Sequence, residues 1–213
     1  MTNITSDQIA EMEKHYRINL INSLTGYKSL NLLGTINGEG KTNLCIVSSV
    51  FHLGSHPPLF GLIIRPERAH NDTLKNIKRS GQYTLNNVLP QWYKQAHQTS
   101  ASYPSGVSEF EKCGFQELYA DGISAPFVAQ STVRVGLELK ELVDLKINGT
   151  TLVIGEITQI FAEDNLIGED GFLDHSAAST LTLTGLDSYY TTVPLGRLTY
   201  AKPDTLPEIL ATE

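Results

Sequence analysis

Between Lys41 and Asn76 the chain places small hydroxyl side chains, an arginine and a helix start close together. A strand-like run, Asn43-Leu-Cys-Ile-Val-Ser-Ser-Val-Phe51, leads into Gly54-Ser-His-Pro-Pro58. A second apolar run closes at Ile64, and Arg65-Pro66 and Asp72-Thr-Leu-Lys-Asn76 follow. Ser48 and Ser49 interrupt an otherwise apolar strand, where an unpaired hydroxyl costs on the order of 1 to 3 kcal/mol. Each therefore needs a partner, either a carbonyl across the sheet or the oxygens of a ligand. Asp72-Thr73 opens a helix whose free N–H groups and dipole favour phosphate, and Arg65 is near enough in sequence to add a bidentate contact. A ligand with a flat ring at one end and a phosphate at the other suits this order of residues.

The elements that must position these groups are largely extended. Ile9, Met12, Tyr16, Leu20 and Leu24 fall near helical spacing with Ser6 or Asp7 placed to cap, which predicts one N-terminal helix from about Ser6 to Leu24. Ser29 to Ile36 reads as a strand, Asn37-Gly38 as a two-residue hairpin turn whose residues tolerate positive φ, and Thr42 to Phe51 as the partner strand. Pro57-Pro58 fixes φ twice and breaks that strand before a short buried one, Leu59 to Ile64. Asp72 is placed to cap a helix from Thr73 to about Ser80, which Gly81 ends. Tyr83 to Val88, Val133 to Asp144 and Thr151 to Phe161 are further strands, the last two separated by a turn at Asn148-Gly149. Gln91 to Tyr119 mixes helical and loop residues and is expected to form a lid or partner-contacting excursion. Strands joined by hairpins with few helices predict a mainly β fold, an antiparallel barrel with helical additions, in one domain over residues 1–213.

Composition narrows the ligand. The 213 residues are 40% hydrophobic and 18% charged, within the globular range. A formal charge of −7 and the lack of a Lys/Arg stripe argue against nucleic acid and against anionic membranes. A phosphate-bearing cofactor then needs a local positive pocket, for which Arg65, Arg68, Lys75 and Lys78 are the candidate donors. Cys45 and Cys113 are the two cysteines and neither lies in a C-x-x-C pair, so neither a disulfide scaffold nor a zinc site is expected. The polar N-terminus lacks signal-peptide character and no run reaches membrane-spanning length, so the chain reads as cytoplasmic.

Familiar motifs are missing. Neither G-x-x-x-x-G-K-[ST] nor G-x-G-x-x-G between strand and helix occurs, and Gly34-Thr-Ile-Asn-Gly-Glu-Gly40 is explained by a hairpin. His52, His56 and His70 are irregularly spaced with no Cys or carboxylate at ligand spacing, and Gly-x-Ser-x-Gly is absent. No catalytic side chain and no metal ligand is assigned. A flavin nucleotide has the required flat ring and phosphate.

Asn43, Ser48, Phe51, Gly54-Ser55, Pro57-Pro58, a strand ending in Arg65-Pro66, and Asp72-Thr73-x-x-Asn76-Ile77 together resemble the flavin reductase-like, FMN-binding split-barrel family. The likeness continues through Gly81-Gln-Tyr-Thr-Leu-Asn86, Ala125-Pro-Phe127, Gly155-Glu156-Ile157, Gly185-Leu-Asp-Ser-Tyr189 and Leu198-Thr-Tyr-Ala-Lys-Pro203, covering about residues 15–203. The resemblance implies that Asn43, Ser48, Ser49, Val50 and Phe51 line a flavin, largely through backbone groups, and that Gly54 and Ser55 approach the ring edge. It places Arg65, Asp72, Thr73 and Asn76 around the ribityl chain and phosphate. Of these, Asp72 is better suited to capping, because a carboxylate repels phosphate, and Thr73 is the better phosphate contact. The segment Ala96-His97-Gln-Thr-Ser-Ala101 resembles an excursion in one branch of the family. There His97 either touches the ring or is an exposed loop histidine.

The implied cofactor is FMN, or FAD, with NADH or NADPH as transient co-substrate. The implied activity is an NAD(P)H-dependent flavin reductase that passes electrons to free flavin or to a partner oxygenase or redox protein. A flavoredoxin-like FMN electron carrier and a flavin-binding module without turnover are the alternatives. Hydride transfer between stacked rings needs atoms within about 3 to 3.5 Å and no obligatory protein acid or base, so the lack of a triad is compatible with it. Two barrels commonly pair in this family, which implies a homodimer, and Tyr189, Tyr190 and Tyr200 suit either the core or a neighbour.

Overall fold

The computed structural model describes residues 1–66 and 72–210, so Arg68 and His70 lie outside the described residues. The N-terminal helical pattern is divided into α1 (Ser6–Glu11) and α2 (Lys14–Ser23). Thr5, rather than Ser6 or Asp7, caps α1 in a reciprocal arrangement with Gln8. The break follows from Glu13, whose carboxylate accepts from the N–H groups of His15 at 2.7 Å and Tyr16 at 3.0 Å and so starts a new helix. After β1 (Lys28–Ser29), strands β2 (Asn31–Ile36) and β3 (Thr42–Val47) form the expected hairpin. Its turn is wider than two residues: Asn37 Oδ1 accepts from the N–H groups of Glu39 and Lys41, and the positive φ falls at Gly40, at 79°.

The predicted strand from Thr42 to Phe51 is really two, because the chain leaves β3 at Val47 and resumes in β4 (Val50–Ser55), which pairs with β5 (Pro58–Ile64). Then come α3 (Asp72–Ser80), β6 (Gln82–Asn87), α4 (Tyr93–Gln98), α5 (Glu109–Cys113), β7 (Glu117–Ala120), β8 (Ile123–Val128), β9 (Arg134–Leu145) and β10 (Thr150–Phe161). The short strands β11 (Thr182–Thr184) and β12 (Ser188–Tyr190) join β1 in a small separate sheet.

Seven strands make one antiparallel sheet in the order β3-β2-β6-β9-β10-β5-β4. Its two edges, β3 and β4, are consecutive in the chain with only Ser48 and Ser49 between them. Three Cα–Cα steps of about 3.8 Å span at most about 11 Å, so the sheet must curl until its edges nearly meet. That closure, interrupted at one seam, is a split barrel.

Alternation along β3 and β4 then decides which side chains enter the barrel. Cys45, Val47 and Val50 pack with Leu33, Leu62, Tyr83, Leu85, Leu137 and Val153, and α3 closes this core by burying Leu74 and Ile77 while Lys75, Lys78 and Arg79 face outward. Leu44 and Ile46 point the other way, into a second core of Leu30, Leu32, Val88, Trp92, Ala96 and Phe110. The 91–119 excursion therefore covers the outer face of β3 through α4 and α5. No helix among the described residues is long and apolar enough to cross a membrane.

Candidate functional site

Five of the sequence-predicted residues, Asn43, Ser48, Ser49, Arg65 and Thr73, lie at the Ser48–Ser49 seam or beside the strands that border it. On one side β3 and the first turn of α3 meet: Asn43 Nδ2 donates to Thr73 Oγ1 at 3.0 Å, and Cys45 Sγ lies 3.4 Å from the same hydroxyl. Thr73 is buried, and burial pushes the Cys45 thiol up to about 11, so it stays protonated at neutral pH. Ser49 takes the plain option, its Oγ donating to the Ile63 carbonyl at 2.7 Å. The Ser48 hydroxyl is different: it has no partner among the described residues and is half-buried at the seam.

Arg65 follows β5 directly and is exposed. Its charge lies close enough to lower the Lys28 ammonium, which burial already holds below its ordinary value. Lys28 Nζ donates to the carbonyls of Gly185 at 2.6 Å and Asn22 at 3.3 Å, and no carboxylate among the described residues pairs with it. Two neighbouring cations without a counter-ion among the described residues, in a chain of formal charge −7, create a local demand for an anion. The neighbouring Ser29 Oγ donates to Val50 O at 2.6 Å, tying β1 to the β4 side of the seam.

Other predicted residues stand farther out. Val50 points into the barrel core, whereas the Phe51 ring lies on the outer face over Gly61, where a Cβ would come within 2.3 Å of it. Gly54 and Ser55 lie towards the tip of the β4–β5 hairpin, beyond a bulge between His52 and Gly54. Asn76 is buried, its Nδ2 donating to Thr35 Oγ1 at 3.1 Å, and it joins α3 to β2. Asp72 is already the first helical residue of α3, and its Oδ2 accepts from Ser105 Oγ at 3.1 Å. An open cleft of about 330 Å³ runs along the outside of α3, lined by Asn37, Asp72, Lys75, Asn76, Arg79 and Ser105. The predicted cation Lys75 opens onto this cleft.

His97 belongs to α4, which packs on the Leu44 and Ile46 face of β3, opposite to Asn43 and Cys45. Its Nδ1 is 2.6 Å from Tyr189 Oη with the two rings edge to face. Burial pushes the Tyr189 phenol up to about 12, so it keeps its proton at neutral pH.

Sequence reasoning missed Glu109. As an edge strand, β3 leaves the Leu44 N–H without a strand partner, and Glu109 Oε2 accepts from it at 3.0 Å. Thr42, Ser108 and Glu117 extend the cover, with Thr42 Oγ1 donating to Glu117 Oε1 at 2.6 Å and lying 2.7 Å from Ser108 Oγ. Alternation turns the Ile46 N–H to the same free side, nearer the seam. No local pattern marks Glu109, because its partner is 65 residues away.

Burial holds the Glu109 carboxyl above its ordinary value of 4.5, against the opposing effect of the Leu44 N–H. The native state thus keeps this proton more tightly than the unfolded chain, and wild-type stability falls as pH rises through and above the ordinary carboxylate range. Glu109→Gln retains an acceptor and removes the charge. Thermal melts at several pH values should show the variant gaining on wild type from about pH 4 to pH 7. A difference independent of pH would refute the shift.

Residues 28–181 match the flavin reductase like domain family. A Shewanella frigidimarina protein assigned as a flavin reductase with a split barrel domain is 46% identical, with a TM-score of 0.91 over 94% of this chain and 100% of its own. Nitrilotriacetate monooxygenase component B from Bacillus cereus shares the fold at 19% identity, with a TM-score of 0.80 over 93% of this chain and 98% of that one. The flavoredoxin of Desulfovibrio vulgaris shares it at 18% identity, with a TM-score of 0.69 over 84% of this chain and 92% of that one. A seven-stranded barrel split at a two-serine seam, the ordered residues around that seam and the match over most of the chain agree: this protein belongs to the flavin reductase-like family of split barrels.

Proposed function

We propose that the seam holds FMN and that the protein is an NAD(P)H-dependent flavin reductase. One observation carries the reading: the unpartnered Ser48 hydroxyl, the Asn43–Thr73 pair and the uncompensated Arg65–Lys28 charges all adjoin the only gap in the main sheet among the described residues. These groups fit an FMN chemically, since they offer hydroxyl and amide contacts for a ring and ribityl chain and positive charge for a phosphate.

When bound, a flavin supplies the electron-accepting and electron-donating chemistry. The chain's own residues bind and orient. Thr73 fixes the Asn43 amide by accepting one of its N–H groups, which leaves the amide oxygen and the second N–H for a ligand. Ser48 and the free Ile46 N–H donate at the seam, where such preorganised donors stabilise negative charge on a reduced ring. Arg65, with Thr73 in the first turn of α3, serves the phosphate. Phe51, Gly54 and Ser55 form the outer wall on the β4 side, which is the entrance for a nicotinamide in this reading. Electrons then pass to free flavin or to a partner oxygenase or redox protein, with the chain working as a homodimer.

Anaerobic mixing of the FMN-loaded protein with NADH and with NADPH tests the activity. Rapid loss of oxidised-flavin absorbance and turnover of added FMN or FAD is the expected result. A retained yellow cofactor that neither nucleotide reduces would overturn the reductase reading in favour of an electron carrier.

A further inference from the structure

We infer that a cleft on the outer face of the main sheet binds a small monocarboxylate with a flat apolar body, its carboxylate held by Arg134. The cleft encloses about 420 Å³ between the β8–β9 connection and the end of β10, and none of its lining residues belongs to the seam. Alternation along β9 creates it. Val135, Leu137 and Leu139 enter the barrel core, so Arg134 and Gly136 face outward. At Gly136 that outer face is covered, since a Cβ there would meet Ile123 at 2.9 Å and Phe127 at 3.2 Å. The cover ends where β8 does, at Val128, and Arg134 is left beside open space.

One wall is rigid because its polar groups are already spent inside the protein. Ser131 Oγ donates to the Asn87 carbonyl at 2.8 Å, and Asn87 Oδ1 accepts from the N–H groups of Thr132 at 3.1 Å and Val133 at 3.0 Å. Gln130 Oε1 accepts from the Gln116 N–H at 3.1 Å, and its Nε2 donates to the Gly114 carbonyl at 3.2 Å. The opposite wall is apolar, with the exposed Glu163 beside it. Ile160 is 59% exposed and Phe161 37%, so two large apolar side chains border a concave surface that water fills. Such a surface with one convergent polar group is the usual form of a small-molecule site, and its volume is low in the range for one.

That polar group is Arg134. Its Nε is buried without a hydrogen-bond partner, and its guanidinium neither donates a hydrogen bond nor meets a carboxylate at ion-pair distance among the described residues. The Phe161 ring lies 5.9 Å from the guanidinium carbon, a contact that satisfies none of the N–H groups. Burial lowers the guanidinium from its ordinary value, the mark of a partly desolvated charge. A planar fork of donors in this state matches a carboxylate bidentately. Charge then selects among anions. Arg134 is the one cation lining the cleft among the described residues, and Glu163 lines it too. A dianionic phosphate meets one positive and one negative side chain there, whereas a monocarboxylate needs only the fork. A flat ring behind that carboxylate packs against Ile160 and Phe161.

Benzoate is the probe that tests this. In an NMR titration of the full chain it should shift the amide resonances of residues 129–134 and 160–163, with a dissociation constant on the order of 1 mM or below. Benzamide, the same ring without the charge, and inorganic phosphate should each bind at least about 10-fold more weakly. Arg134→Gln should raise the benzoate dissociation constant by about 10-fold or more, and Glu163→Gln should lower it by removing a like charge. Because Arg134 has no described partner to lose, Arg134→Gln without ligand should melt within about 1 to 2 °C of wild type. Benzoate should then raise the melting temperature of the wild type alone. Shifts absent from this cleft at about 20 mM benzoate would overturn the proposal. So would an Arg134→Gln variant that binds benzoate as tightly as wild type, or benzamide or phosphate binding as tightly as benzoate. FMN titrations of wild type and Arg134→Gln should agree, so either result leaves the flavin reading to stand or fall separately.

Discussion

Arg65→Ala should raise the FMN dissociation constant by about 10- to 150-fold, the equivalent of about 1.5 to 3 kcal/mol for a hydrogen bond to a charged group. The expectation rests on the electrostatics at the seam. Burial and the nearby Arg65 charge both lower the Lys28 ammonium, and the partners of Lys28 among the described residues are carbonyls alone. A phosphate would relieve that repulsion, so its binding gains from both cations and loses from the removal of either. Because Arg65 is exposed, part of the effect is screened, and the wild-type advantage should shrink as salt is raised. Arg65→Lys should fall between, keeping charge while losing the planar fork. Fluorescence titration of apoprotein measures all three, and an affinity unchanged in the alanine variant would remove Arg65 from the site.

Gly34→Ala should destabilise the fold by about 3 kcal/mol, the upper part of the range for overpacking. A Cβ at this position in β2 would stand 2.3 Å from the Pro126 carbonyl oxygen and 2.6 Å from Thr84 Oγ1. Neither neighbour can step aside cheaply. The Thr84 hydroxyl donates to Pro126 O at 2.7 Å and accepts from Asn86 Nδ2 at 3.0 Å, while β2 itself is held between β3 and β6. In a chain of this length that corresponds to a melting temperature lower by about 6 to 12 °C. A loss below about 1 kcal/mol in urea melts would show that β8 moves away from the barrel easily, contrary to the packing described.

Strands were legible wherever their apolar residues alternate. The expected Leu59 to Ile64, Tyr83 to Val88, Val133 to Asp144 and Thr151 to Phe161 each lie within about two residues of β5, β6, β9 and β10. The break at Ser48–Ser49 was not, because Val-Ser-Ser-Val-Phe keeps high strand propensity throughout. Only closure of the whole sheet sends Val47 and Val50 to opposite edges. Likewise β8 carries Pro126 and β12 has only three residues, too little pattern for a local signal. At the site, the family resemblance assigned Asn43 and Thr73 to different parts of one ligand, and the structure adds that the two side chains touch although 30 positions separate them. It did not anticipate Lys28 or Glu109, whose contacts at the seam and edge are electrostatic and non-local. His97 joins Tyr189 across 92 positions, on the face of β3 away from Asn43, a relation no spacing rule encodes.

Crystals of the protein soaked with excess FMN would test the central claim most directly. The expected result is an isoalloxazine against Ser48 and Asn43 with its phosphate between Arg65 and the start of α3. Density for FMN at another surface, or a seam still empty at saturating ligand, would contradict it.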